Sequence, residues 1–543
     1  MPLLSEIAGR LLRLPEPASR EPRVERDLAV VMDDGVTLLA DRWSAGGADP
    51  SVPAPTVLVR SPYGRRGAFG FLYGRLLAER GLQVVVQSIR GTFGSGGEFD
   101  PFDERADGLA TLRWLRAQPW HDGPVGTIGP SYMGLVQWAI ADELDALAPS
   151  VTASQFRGMA YGSGSISLDT ALSWMLVLHL QERRLAPLLV AHGLRRTLPG
   201  AFDHVPLGEI DERAFGAPVP YFRAWMEELA PDSPYWAARD FSSSVGDVRA
   251  PVQLVGGWHD IFLPWMLEDF RALRAAGRDA QLIVGPWTHT APGMTGVSLR
   301  EGIGWLRAHL LGDRRMVRDT PVRVYVTGAR RRWVDLPDWP PPGARELALH
   351  LQPGGGLSAE PPAGAPGPSR FRYDPTDPTP SLGGAVLLER EPVRDNRPLE
   401  ARPDVLTFTG EPLAGEVEAI GPVRAEIHVR ASSGHSDLFV RVCDVDPEGA
   451  SLNVCDALIR LTPDEPARDR DGVAAVRFDL WPTAHRFAAG HRVRVQVSGG
   501  AHPRYARNPG TGEEPGRATR LVAVDQEIHH DAARPSSVTL TVG

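Results

Sequence analysis

Short apolar runs alternate with stretches of helical spacing through the first third of the chain. Leu28–Met32 and Thr37–Trp43 flank Asp33-Asp34-Gly35, a spacing that predicts an antiparallel hairpin. Thr56–Arg60 and Leu82–Gln87 read as buried strands, with Phe71–Glu79 helical between them and Glu104–Ala117 helical after them. Val125–Ile128 ends a further strand, Leu135–Leu147 carries apolar residues at helical spacing, and Val151–Ser154 reads as the next strand. Alternation of this kind predicts an α/β sheet.

The alternation then stops. Residues 155–245 hold helical segments, among them Leu168–His179 and Tyr221–Leu229, separated by proline-rich breaks. Strand signals return at Val252–Val255 and Gln281–Val284, with a helix near Met266–Ala275 between them. Residues 353–400 are crowded with glycine and proline and read as a connector. Beyond it, period-two runs at Val423–Ala431, Leu438–Val445, Ala457–Leu461, Ala474–Leu480, His491–Val497 and Val538–Val542 predict a β-sandwich, read as a jelly roll. The expected organisation is an α/β core in two parts (1–154 and 246–345), an inserted helical cap (155–245) and a β-sandwich (346–543).

Composition narrows the chemistry. The 543 residues carry a formal charge of −9, and no basic tract stands out, so nucleic acid and anionic membranes are not expected partners. No apolar run approaches the ~20 residues of a membrane span. The N-terminus lacks a basic segment followed by an apolar one and a cleavage site, which gives a cytoplasmic expectation. All 58 basic residues are arginine, which excludes a pyridoxal Schiff base, a Walker A lysine and a Ser-Lys dyad. Two cysteines, Cys443 and Cys455, are too few for a disulfide framework or a thiolate metal site, and they are expected to face the interior of neighbouring strands.

The strand ending at Ile128 runs into Gly129-Pro130-Ser131-Tyr132-Met133-Gly134 and then a helix. A serine in such an elbow is forced into a strained conformation that exposes its hydroxyl, although a serine before a helix can also be a plain cap. A nucleophile needs a base, and the base an acid, in the order Ser, Asp or Glu, His along this kind of sheet. Asp260 follows the strand Val252–Val255 in Gly256-Gly257-Trp258-His259-Asp260, and His289 follows Gln281–Val284 in Gly285-Pro286-Trp287-Thr288-His289. Ser131, Asp260 and His289 thus form the candidate triad; His259 is the competing base, weakened by its place before the acid. Oxyanion donors are expected from the Tyr132 amide and the Tyr63 hydroxyl in Ser61-Pro62-Tyr63-Gly64. The glycine-rich stretch from Gln87 to Phe99 fails the spacing of a phosphate loop and is expected to be structural.

These motifs together resemble the CocE/NonD family of serine hydrolases, the cocaine esterase and X-prolyl dipeptidyl-peptidase group. The resemblance runs through SPYG (Ser61–Gly64), IRGTFGSGGEF (Ile89–Phe99), QPWHDGPVGTIGPSYMG (Gln118–Gly134), GGWHD (Gly256–Asp260), GPWTH (Gly285–His289) and the segment Phe487–Glu513. It implies an α/β-hydrolase core interrupted by a helical cap and followed by a jelly roll, with Ser131, Asp260 and His289 on the triad and Tyr63 and Tyr132 on the oxyanion hole. Two departures are Ser88, where many members carry aspartate, and Met133, which displaces the second glycine of Gly-x-Ser-x-Gly by one residue. No cofactor or metal is implied.

Substrate class is decided elsewhere. Members that bind a substrate ammonium need carboxylates in the acyl pocket, and the residues after Asp260, Ile261 to Met266, are apolar. Trp174, Trp258, Phe262 and Trp265 are candidate pocket residues, with core packing as their alternative. The expectation is an esterase acting on a small, uncharged acyl substrate. An X-Pro dipeptidyl-peptidase, an α-amino acid ester hydrolase or acyltransferase, and a catalytically idle binding protein are the alternatives; the pattern does not read out oligomeric state, and a homo-oligomer stays open.

Overall fold

The computed structural model describes residues 2–46, 49, 52–230, 232–464 and 466–543. The chain forms two compact units: residues 1–157, 181–184 and 230–322 make the first, and residues 158–180, 185–229 and 323–543 the second. No helix among the described residues is long and apolar enough to cross a membrane.

In the first unit, β1 (Arg23–Val31) and β2 (Thr37–Ser44) form the antiparallel hairpin, turned by Gly35 at φ +85°. The main sheet continues through β3 (Ala54–Ser61), β4 (Gln83–Ser88), β5 (His121–Pro130), β6 (Ala146–Ser150), β7 (Val252–His259) and β8 (Ala280–Thr288). Pairings give the spatial order β1-β2-β4-β3-β5-β6-β7-β8, parallel from β4 onward. Parallel neighbours require crossovers, and helices Arg105–Arg116, Tyr132–Trp138 and Leu263–Ala275 provide three of them. Every residue of β4, β6 and β7 is buried, as expected for strands covered on both faces.

Two sequence expectations need correction, and one long helix has no counterpart in the sequence pattern. The helix expected over Leu135–Leu147 ends at Trp138, because Ala146 and Leu147 are claimed by β6, where they pair with Gly126 and Thr127. Val151–Ser154 is consequently not a strand but the loop beyond β6. The 20-residue helix Pro292–Leu311 was not anticipated, since glycines at 293, 296, 302 and 304 dilute its apolar stripe. One of them, Gly302, has a packing reason that it shares with Gly126. A Cβ on Gly302 would stand 2.6 Å from Ile128, and one on Gly126 of β5 would stand 2.7 Å from Leu306, so the helix lies close against the centre of the sheet.

The second unit holds the helices Leu168–Leu180, Ala186–Arg196 and Pro220–Glu227 together with the C-terminal strands. Its long strand Val417–Ala431 pairs with Ala474–Phe487 on one side and with Val524–Asp531 and Ser537–Val542 on the other. Strand Ser436–Val445 lies between Ser451–Leu461 and Arg492–Ser498. Leu351, Phe408, Ile427, Val440, Val476 and Val495 fill a core between these strands, as the alternating pattern requires of a sandwich. Cys443 and Cys455 are buried on neighbouring strands as free thiols.

Candidate active site

β5, β6, β7 and β8 are adjacent and parallel, so their C-terminal ends share one edge of the sheet. Ser131 follows the last residue of β5, Asp260 the last of β7 and His289 the last of β8. Residues scattered over about 160 positions of sequence therefore emerge on the same side, where ligands of open α/β sheets bind.

Ser131 sits at φ 57°, ψ −125°, a region that costs a non-glycine residue about 1–3 kcal/mol. The surroundings hold it there. Its amide donates to the Ser150 carbonyl at 2.9 Å, and its own carbonyl accepts the Thr152 hydroxyl at 2.7 Å. Its side chain makes no capping bond to the helix Tyr132–Trp138, so the plain cap reading fails. The elbow also explains its glycines. A Cβ on Gly129 would lie 2.5 Å from the Met133 Cβ, and one on Gly134 would lie 2.3 Å from Thr152. Met133 itself is 1% exposed and packs into the sheet core, so the position between Ser131 and Gly134 holds a large apolar side chain while the close approach to Thr152 falls on Gly134.

The Nδ1–H of His289 donates to Asp260 Oδ2 at 2.6 Å, and the Phe262 amide donates to Asp260 Oδ1 at 2.9 Å. Asp260 is fully buried and His289 is 7% exposed. A carboxylate on Nδ1 fixes the tautomer that leaves the Nε2 lone pair available to accept a proton. Asp260 also serves the turn into helix Leu263–Ala275 by accepting the Phe262 amide, so one carboxylate holds both the turn and the histidine.

Aromatic rings connect this pair to the elbow. Phe262 lies 5.7 Å from His289 and 4.3 Å from Phe156, and Phe156 meets Tyr132 edge-on at 6.4 Å. Phe156 was assigned to the cap from sequence, yet it belongs to the first unit and bridges the two halves of the site. A lone phenylalanine just past a strand carries no signal that would have singled it out.

Tyr132 is held from below. Its hydroxyl donates to Glu104 Oε1 at 2.6 Å and accepts the Phe102 amide at 2.8 Å, while Arg60 contacts Glu104 Oε2 at 2.9 Å. Arg60 in turn donates to Gln87 and to the Glu104 carbonyl. Burial raises the Glu104 carboxyl above its usual range, with Arg60 and the tyrosine hydroxyl opposing that shift. Burial likewise raises the Tyr132 phenol, which stays protonated and donating. The sequence points to Tyr132 only for its amide; the support of its phenol is invisible there because Glu104 and the residues that hold it, Arg60 and through it Gln87, come from three separate elements.

Tyr63 follows β3, the neighbour of β5, at the same sheet edge. Its amide donates to Ser61 Oγ at 3.0 Å, its ring stacks on Phe69 at 5.2 Å, and the Gln181 side chain donates to the Pro62 carbonyl at 3.0 Å. A Cβ on Gly64 would strike the Phe93 ring at 2.8 Å, so this turn requires glycine both for that approach and for its φ of +87°. The glycine-rich loop after β4 is structural in detail: Arg90 bonds Asp107 and Asp34, Ser95 bonds the Ser88 carbonyl, and Arg65 reaches the Ser88 hydroxyl at 3.3 Å.

Among the remaining pocket candidates, Trp258 is 5% exposed within β7 and Trp265 is half-buried at the start of its helix. Trp174 belongs to the second unit, where it stacks on Trp225 at 6.2 Å and lies beside Tyr221.

Further along the helix that follows Asp260, Asp269 is fully enclosed. Ser154 meets it through its amide, 2.8 Å from Oδ2, and its hydroxyl, 2.5 Å from Oδ1. Burial pushes this carboxyl up to about 7, above its unfolded range. The folded state then binds the proton more tightly than the unfolded state, so stability falls as pH rises from about 4 to 7. Asparagine mimics the protonated acid. The melting temperature of Asp269→Asn should therefore gain on the wild type across that window, as measured by scanning calorimetry, whereas a constant difference would contradict the burial argument.

Comparison with known proteins bears on the family and the fold. Residues 34–291 match the profile of the X-Pro dipeptidyl-peptidase (S15 family), and residues 315–539 match that of the X-Pro dipeptidyl-peptidase C-terminal non-catalytic domain. A cocaine esterase from Rhodococcus sp. (strain MB1 Bresler) is 30% identical, covering 96% of this chain and 98% of that protein. An α-amino acid ester hydrolase superposes with a TM-score of 0.81 at 23% identity, covering 98% of both chains. An aminopeptidase from a marine sediment Thaumarchaeota archaeon does so with a TM-score of 0.79 at 21% identity, covering 96% of both. The expected fold, an α/β-hydrolase core with a C-terminal jelly-roll β-sandwich, is thereby borne out. The chain belongs to the CocE/NonD family of serine hydrolases.

Proposed function

We propose that the protein hydrolyses small, uncharged acyl esters, with Ser131 as nucleophile, His289 as general base and Asp260 as the group that orients it. The observation that carries this reading is the 2.6 Å Asp260–His289 contact at the strand edge where Ser131 is held in strain. Ser131 Oγ attacks the acyl carbonyl carbon while His289 Nε2 takes its proton. The resulting oxyanion meets the Tyr132 amide at the N-terminus of its helix and the Tyr63 hydroxyl, each donor worth on the order of 3 kcal/mol in the transition state. Collapse breaks the bond to the leaving alcohol, which receives the proton from His289. Water, deprotonated by the same imidazole, then releases the acid and restores Ser131.

Ester preference over amino-acyl substrates rests on the neighbourhood of Asp260. Ile261, Phe262 and Leu263 are buried and apolar, and the enclosed carboxylates Glu104 and Asp269 are committed to Arg60, Tyr132 and Ser154. Neither is disposed to receive a substrate ammonium. Rapid mixing with p-nitrophenyl butyrate should give a burst of nitrophenol matching the enzyme concentration, and kcat/KM should exceed that for glycyl-prolyl-p-nitroanilide by at least about 100-fold, the size of a ~3 kcal/mol discrimination. Faster anilide turnover would assign the site to X-Pro peptides instead.

A further inference from the structure

The N-terminal helix Pro2–Leu11 is inside out. Its buried positions are Ser5 and Gly9, while Leu3, Leu4, Ile7 and Leu11 are 71, 61, 49 and 77% exposed. Under its inner face lies Arg80, only 3% exposed. Arg80 Nε donates to the Pro15 carbonyl at 2.8 Å and one terminal nitrogen to the Leu76 carbonyl at 2.9 Å. The other terminal nitrogen, Nη2, has no hydrogen-bond partner among the described residues. It points at Gly9, where an added Cβ would stand 3.0 Å from it.

A cavity of about 210 Å³ opens at this spot, lined by Arg10, Arg13, Arg20 and Arg80 and by Glu6, Glu16 and Glu79. Two of the carboxylates are already engaged: Glu6 pairs with Arg10 at 2.7 Å and Arg20 at 3.0 Å, and Glu79 pairs with Arg75 at 2.8 Å. Glu16 is exposed. The Arg13 guanidinium, like Arg80 Nη2, has no partner among the described residues. Arg80 Nη2 therefore opens into the cavity, and guanidinium donors lining a small cavity suit an oxyanion with several acceptor atoms.

We propose that this cavity binds a phosphate group. It is smaller than the ~300–1,000 Å³ typical of pockets for drug-sized ligands, so a single phosphate with its waters fits better than a whole nucleotide. The phosphate can be free or carried on a lipid headgroup, and the exposed apolar stripe on the same helix makes the second source worth resolving. This proposal is independent of the chemistry at Ser131.

The test titrates the full chain calorimetrically with inorganic phosphate at fixed ionic strength, with chloride as reference, and sediments it with phosphatidylcholine vesicles with and without phosphatidic acid. Gly9→Ala fills the space beside Arg80 while raising helix propensity, and Arg80→Met removes the donor. Saturable phosphate binding that both variants weaken at least about 10-fold supports a free phosphate ligand. Sedimentation that requires phosphatidic acid and is lost in Gly9→Ala, without binding of free phosphate, supports a lipid source. Absence of both, or binding equal in the wild type and both variants, overturns the proposal.

Discussion

Asp260→Asn should lower kcat for an acyl ester about 10⁴-fold while leaving the fold intact, the size of loss seen when a triad acid becomes an amide. The reason is the tautomer. Asp260 Oδ2 accepts the Nδ1–H of His289, so Nε2 is free to accept a proton. An asparagine can present its NH2 to Nδ1, which moves the ring proton to Nε2 and removes the base. Its single oxygen, in the place of Oδ1, keeps the Phe262 amide, so the turn into helix Leu263–Ala275 survives and the circular dichroism spectrum and melting curve should change little. Steady-state kinetics on p-nitrophenyl esters measure the loss. A decrease below about 10-fold would mean that Asp260 is a turn residue and that another group orients the base.

Glu104→Ala should destabilise the first unit by about 3–5 kcal/mol, because it strands the Arg60 guanidinium in the interior without its counter-charge. Arg60 is 2% and Glu104 4% exposed, so water cannot replace the lost carboxylate. The same change leaves the hydroxyl of Tyr132, the residue whose amide is proposed to bind the oxyanion, without its acceptor. Urea denaturation followed by tryptophan fluorescence gives the stability. The paired replacement Arg60→Met with Glu104→Leu should recover much of the loss, since a desolvated ion pair and apolar side chains of similar volume are often near equal in free energy. A loss below 1 kcal/mol for Glu104→Ala, or no recovery in the pair, would contradict the view that an ion pair supports the elbow.

The sequence was most legible where local pattern and chemistry coincided. Buried β-branched runs such as Val84–Val86 can be little else but strand, and Asp260 and His289 each stand where such a run ends. Legibility failed where tertiary pairing overrode local period. Ala146 and Leu147 continue the helical spacing of Leu135 onward, yet β5 and β7 on either side recruit them into the sheet. The helix Pro292–Leu311 is obscured by its glycines, one of which, Gly302, permits a close approach to Ile128 of β5 that exists only in the folded state. The supports of the site were hidden for a related reason. Phe156 matters through Phe262, Glu104 through Tyr132 and Arg60 through Glu104, each far away in sequence, and no spacing rule connects them.

The most direct test of the account is fluorophosphonate labelling of the full chain, followed by intact-mass measurement and peptide mapping. The account predicts one adduct per chain, located on Ser131, lost in Ser131→Ala and strongly slowed in His289→Ala. Labelling of Ser131→Ala to the same extent, or an adduct mapped to another residue, would show that the strained serine at the end of β5 is not the nucleophile.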